Sequence, residues 1–101
     1  DLGFTKLEGF EWDKGNLEHI KRHKVDYKEC EEIFSNKPLL INEDIVHSQV
    51  EERFRVLGRT NNKRLIYLIF TVRGKNIRVV SAREQNKKER GRLNEMAGEK
   101  R

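Results

Sequence analysis

The first part of the chain repeats its apolar positions every three or four residues, whereas the stretch after it alternates apolar and polar residues with the period of a strand. "FEWD" (Phe10–Asp13) reads as a short aromatic strand that runs into a helix-capping residue, Asp13 or Asn16. Leu17, Ile20 and Val25 then mark a short helix around Asn16–His23. A second helix over Tyr27–Phe34 puts Tyr27, Cys30, Ile33 and Phe34 on one stripe and Glu29, Glu31 and Glu32 away from it, and Pro38 stops it. Three strands follow, Glu52–Arg59, Leu65–Arg73 and Asn76–Arg83. Asn61-Asn62 supplies the first turn between them, and Gly74-Lys75 a two-residue hairpin loop. Asn86–Ala97 is a polar helix that ends near Gly98. The order β-α-α-β-β-β-α predicts an α+β fold: an antiparallel sheet with two N-terminal helices and a C-terminal helix packed on it. No repeat, linker or low-complexity tract divides the chain, so one domain over 1–101 is expected, with flexible ends at 1–6 and 98–101.

Side chains alternate faces along a strand, so the hairpin register sorts them into two sets. With Gly74-Lys75 as the loop, Phe70 pairs with Val79 and Val72 with Ile77. Ile66, Leu68, Phe70, Val72, Ile77 and Val79 then share an apolar face, and only a register that sets Phe54 and Val56 beside them keeps it clean. The helices are expected to cover this face. The opposite face, expected to stay open, collects Arg53, Arg55, Arg59, Tyr67, Thr71, Arg73 and Arg78. Arg83 falls with the apolar set on simple parity, so it must reach over the rim or meet a carboxylate, because a lone buried guanidinium is too costly. One β-bulge would reverse part of this sorting.

Composition sharpens the second face. The chain has 101 residues, 39% of them charged, with a formal net charge of +5. That length supports one modest core, and the basic excess favours a polyanionic or acidic partner. Arginine forks donate paired hydrogen bonds to phosphate and stack on bases, and Tyr67 offers a stacking surface for an unpaired base. The plain alternative is a solvated face whose arginines pair with local glutamates. One cysteine, Cys30, excludes an internal disulfide framework and lies on an apolar stripe, where a core role is expected. The longest apolar run, Leu65–Val72, is too short to span a bilayer, and no signal peptide is visible, so a cytoplasmic, membrane-free protein is expected.

Candidate chemistry clusters in "HSQVEER". Glu51 and Glu52 are adjacent, so in a strand they diverge and cannot form a paired-carboxylate site. By parity Glu51 is the one that joins Arg53, as a base or as a structural partner of the arginine. His47 could move a proton near neutral pH, or be an ordinary loop histidine. His19 and His23 have a spacing that can clamp a metal, but no nearby cysteine or acid completes a ligand set and no metal is expected. Neither HExxH nor a glycine-rich phosphate loop is present. Trp12 reads as an anchor for the first strand.

Taken together, "FEWD…GN…H…V…EE…F", "HSQVEER…LGRT", "FTVR", "IRVVSAR" and "KKER", in this order and spacing from Phe10 to Arg90, resemble the BrnT toxins of type II toxin–antitoxin systems. The resemblance implies a RelE-like ribonuclease fold and an endoribonuclease that cleaves mRNA and inhibits translation without a cofactor. It also implies a BrnA-like antitoxin with a ribbon-helix-helix domain, contact with operator DNA only through that antitoxin, and assembly as a dimer of heterodimers. The positions it marks as functional are His47, Glu51, Glu52, Arg53, Arg73, Arg83, Glu89 and Arg90. RNA cleavage without a metal needs a deprotonated 2′-OH, a stabilised phosphorane and a protonated 5′-oxygen. On that scheme Arg73 and Arg83 take the phosphate with Arg53 assisting, Glu51 or His47 is the base, and no acid is assigned. Arg55, Arg59, Tyr67, Arg78 and Arg90 are expected to hold RNA. The chain departs from the family at Leu93, where relatives often carry an aromatic residue after the final "ER". From another function class, a non-catalytic basic module would share the arginine face and need no proton-transfer groups. A toxin that binds antitoxin and represses its operon without cleaving RNA is a variant of that reading.

Overall fold

Each of the three helices among the described residues begins at a capping box, in which the residue before the helix and the third residue inside it exchange hydrogen bonds. In the computed structural model, which describes residues 7–45 and 50–98, Asp13 and Asn16 start α1 (Lys14–Lys21). Asp26 and Glu29 start α2 (Tyr27–Ile33). Asn86 and Glu89 start α3 (Lys87–Gly98), each backbone N–H donating to the other's side chain at 2.9 Å. The strands are β1 (Gly9–Glu11), β2 (Leu40–Glu43), β3 (Phe54–Arg59), β4 (Leu65–Arg73) and β5 (Asn76–Glu84). They form one sheet in the order β1-β5-β4-β3-β2. The fold is α+β, with two helices before the central strands and one after them, as expected.

The expected register is present. Phe70 pairs with Val79, Val72 with Ile77, Phe54 with Phe70 and Val56 with Leu68. The face they share holds the core: Ile20 and Val25 around α1, and Cys30 and Ile33 of α2, are buried against it. The Phe70 ring stacks on Phe54 and meets Phe34 edge-on, and Phe34 in turn meets Phe10. Gly58 lets α2 approach closely, since a Cβ there would lie 2.9 Å from the Cβ of Ile33. The Cys30 thiol is pushed up to about 12 by burial, and then by the carboxylates of Glu29, Asp26 and Glu31. It is an inert core group, as its place on the stripe implied.

Four features differ from the sequence expectation. β2 was not foreseen: "LINE" is short and polar-ended, and it forms by pairing antiparallel with β3 at the sheet edge. β1 pairs with β5 in parallel, so the sheet is mixed rather than wholly antiparallel. β3 begins at Phe54, leaving Glu51, Glu52 and Arg53 in the segment before it. Finally, a β-bulge falls where Phe70 pairs with Val79 but Ile69 pairs with Ser81, leaving Val80 as the extra residue. Beyond the bulge the sorting inverts. Ala82 joins the core face opposite Leu68, and Arg83 moves to the other face opposite Tyr67.

That second face is not open along its whole length. α3 packs across β3, with Leu93 1% exposed and Leu57 5% exposed. Leu93 therefore does packing work where α3 meets β3. Among the described residues, no helix is long and apolar enough to cross a membrane.

Candidate nucleic-acid interface

The arginines of the second face fall into two groups, and strand geometry sets the distance between them. Arg73 pairs with Asn76 near the β4–β5 turn, whereas Tyr67 pairs with Arg83 six positions back along β4. At roughly 3.3 Å per residue the two ends are about 20 Å apart. Arg73 and Arg83 therefore do not meet on one phosphate.

The end beside the turn is a pocket of about 260 Å³ lined by His19, Glu51, Arg53, Arg73 and Arg78, with Gly15, Asn16 and the backbone of the bulge. Asn16 builds its inner wall. Its buried amide donates to the carbonyls of Glu11 and Val79, both at 3.0 Å, tying the start of α1 to β1 and to β5 at the bulge. His19 follows one turn later on α1, on the same side as Asn16. The opposite segment is also pinned. Thr71 donates its hydroxyl to the Glu52 carbonyl at 2.7 Å, and the Asp44 N–H donates to the Arg53 carbonyl at 2.7 Å. These bonds hold Glu51 over the pocket while the Glu52 side chain points to solvent. The two glutamates diverge as expected, although they do so in the lead-in to β3 rather than within it.

Charges alternate through this pocket. Glu51 lies 3.4 Å from Arg53 and 3.8 Å from Arg73. Glu11 lies 3.8 Å from Arg73 and 3.1 Å from Arg78, and Asp13 takes both Arg78 nitrogens at 2.8 and 3.3 Å. The Asp13–Arg78 pair is tight: Arg78 holds the Asp13 carboxyl below its usual value, and Asp13 in turn raises Arg78. The contacts of Arg73 are longer than a good hydrogen bond, and its side chain is 54% exposed. An incoming phosphate oxygen can replace such loose contacts at little cost.

The other end is a latch. Arg83 donates to both carboxylate oxygens of Glu89 at 2.9 and 3.0 Å, and its guanidinium lies 3.9 Å over the Tyr67 ring. Glu89 also serves the α3 capping box, so one carboxylate fixes the start of α3 and fastens it to β5. Burial alone would raise the Glu89 carboxyl. The Arg83 fork and the Asn86 N–H outweigh it, and the net displacement is downward. One face of Tyr67 is thus occupied by Arg83, and burial raises its hydroxyl despite the nearby Arg83 and Arg55.

The remaining expected positions are scattered. Arg55 is exposed beside this latch, Arg90 donates to the Gln85 carbonyl at 2.8 Å, and Arg59 donates to the Lys37 carbonyl at 2.8 Å. His47 lies outside the described residues. One pocket residue, His19, and two carboxylates that pair with its arginines from behind, Glu11 and Asp13, had no site role in the sequence reading. His19 had been paired with His23, whose ring centre is 5.9 Å away. Its spacing from Asn16 was the available signal, but only the bulge carbonyl that Asn16 caps shows which strand that helix face meets.

A comparison with curated proteins returned no match. The family model described as "Ribonuclease toxin, BrnT, of type II toxin-antitoxin system" matches residues 12–89, a span that begins beside Asp13 and ends at Glu89. The pocket and the latch both lie almost wholly within it, and so the chain belongs to the BrnT family of ribonuclease toxins.

Proposed function

We propose that this ribonuclease toxin is a metal-independent endoribonuclease that cleaves mRNA at the pocket beside the β4–β5 turn, and that a BrnA-like ribbon-helix-helix antitoxin neutralises it. A type II toxin has an antitoxin partner by definition of its system; the identity of that partner, operator contact through it, and a dimer of heterodimers are parts of this reading. The observation that carries it is the convergence of Arg53, Arg73 and Arg78 with one carboxylate, Glu51, in a solvent-facing pocket. Arg73, with Arg53 beside it, takes the scissile phosphate. Glu51, freed from two loose ion pairs as the phosphate arrives, accepts the 2′-OH proton. Arg83 is reassigned from the phosphate to holding α3, because its fork is committed to Glu89.

Inducible expression tests this. The wild-type chain should arrest growth and cleave mRNA, and co-expression of the antitoxin should restore growth. Arg73→Ala should abolish arrest while its thermal unfolding stays within a few degrees of wild type. A folded Arg73→Ala chain that is still fully toxic would sink the assignment. The competing reading, a basic module or an inactive toxin that serves operon repression, draws on the carboxylates that already face each pocket arginine. It predicts binding to RNA or antitoxin with no cleavage by the wild-type chain.

A further inference from the structure

Cleavage by an attacking 2′-oxygen expels a 5′-oxygen that must be protonated as it leaves, and the pocket arginines are poor donors. A guanidinium keeps its protons at any working pH, and the carboxylates at Arg78 strengthen that hold. Glu51 stands between two guanidinium groups and is a proton acceptor. Among the described residues that line the pocket, the one imidazole, a side-chain type suited to handing a proton to a leaving oxygen, is that of His19. It comes from α1, whereas Glu51 comes from the segment before β3, so acceptor and donor stand on separate elements of the wall. Attack in line with the leaving group requires that separation, since the two oxygens lie on opposite sides of phosphorus. The imidazole is held in place from below: the capping box at Asp13 and the two carbonyl bonds of Asn16 fix the first turn of α1 against β5.

We infer that His19 is the general acid of the pocket, donating its proton to the 5′-oxygen of the scissile phosphate. The inference rests on reading this pocket as the cleavage site. In the step, Glu51 takes the proton of the 2′-OH as the 2′-oxygen bonds to phosphorus. The bond from phosphorus to the 5′-oxygen breaks with its electron pair on that oxygen, which takes the His19 proton. The products are a 2′,3′-cyclic phosphate and a 5′-hydroxyl, and solvent returns a proton to His19 and removes one from Glu51. The groups that face His19 are Glu51, Arg53, Arg73 and Arg78 across the pocket and His23 in the turn after its helix, with Glu11 and Asp13 behind Arg78.

The test uses the full chain and a short synthetic mRNA, presented bare and in a translating extract. Wild-type cleavage and its loss in Arg73→Ala are read first. If either fails, the reading of the pocket falls and His19 falls with it. If both hold, His19→Gln should cleave on the order of 100-fold more slowly or worse. Its RNA affinity should stay within a few-fold of wild type, and its pH–rate profile should lose the basic limb that a proton-donating group gives the wild type. His23→Gln should cleave like wild type. The deciding substrate carries sulfur in place of the bridging 5′-oxygen, because a thiolate leaves without a proton. On that RNA His19→Gln should return to within a few-fold of the wild-type rate while Arg73→Ala stays inactive. A His19→Gln chain that cleaves normal RNA at the wild-type rate, or one whose defect the sulfur does not restore, removes His19 from the acid role.

Discussion

Glu89 shows how much one side chain can settle. Its carboxylate closes the α3 capping box, accepts both nitrogens of Arg83, and so holds that guanidinium over Tyr67. Because Arg83 is partly exposed, the pair is worth less than a buried one; losing it in Glu89→Gln should cost about 1–2 kcal/mol. The pH dependence has a definite sign. The Glu89 carboxyl is held below its ordinary value of 4.5, so its contribution is complete above that value and disappears as pH falls through the lower, folded-state value. Denaturant melts of wild type and Glu89→Gln should therefore differ by a constant amount at neutral pH and converge below 4.5; a gap that widens on acidification would contradict this account. Arg73 is the counter-example within the same set of arginines. Two contacts of 3.8 Å and an exposed side chain leave it structurally dispensable, so the loss of function expected for Arg73→Ala has no matching loss of stability.

At the level of elements, Gly58 and Val80 carry consequences that outrun their size. Gly58 sits under Ile33, and Gly58→Ala should destabilise the fold by about 1–3 kcal/mol by forcing α2 off β3, read as a lowered denaturation midpoint with unchanged secondary structure. An alanine variant as stable as wild type would show that α2 yields more easily than its close approach implies. Val80 decides which face Arg83 occupies, and here the limits of sequence reading become visible. Alternation along Leu65–Arg73 and the Gly74-Lys75 loop were enough to pair Phe70 with Val79, because both are local signals. The bulge is not local: an unbroken apolar run "VV" at 79–80 looks the same whether or not one residue is left out of the ladder. Parity therefore set Arg83 among the apolar residues, and the same blind spot hid its latch with Tyr67 and Glu89. β2 was missed for a related reason, since "LINE" has too few apolar positions to show a period and gains its strand form from β3. The pocket was half legible. Glu51, Arg53, Arg73 and Arg78 followed from parity, whereas Glu11 reaches them through a parallel pairing that no hairpin rule reports, and His19 through the bonds of Asn16 to the Glu11 and Val79 carbonyls.

For the molecule as a whole, a formal charge of +5 sets a long-range attraction for RNA, but the alternating acids of the pocket limit how much is spent at the site. If three guanidinium groups meet phosphates, the logarithm of single-strand affinity should fall against that of salt with a slope of about −2, and Arg73→Ala should reduce the slope by about 0.7. Titrations at several salt concentrations measure this, and an unchanged slope in Arg73→Ala would place the phosphate elsewhere. The parallel pairing of β1 with β5 has a further consequence, for when activity can arise during synthesis. It brings Glu11 to Arg78 across 67 positions of chain, the kind of contact that forms late because a long loop must close first. The α1 side of the pocket meets the β5 side only on that closure, with Asn16 and His19 supplied early and Arg78 supplied late. A ribosome that has delivered only α1, α2 and the strands through β4 holds a chain without Arg78, and so without the β5 side of the pocket.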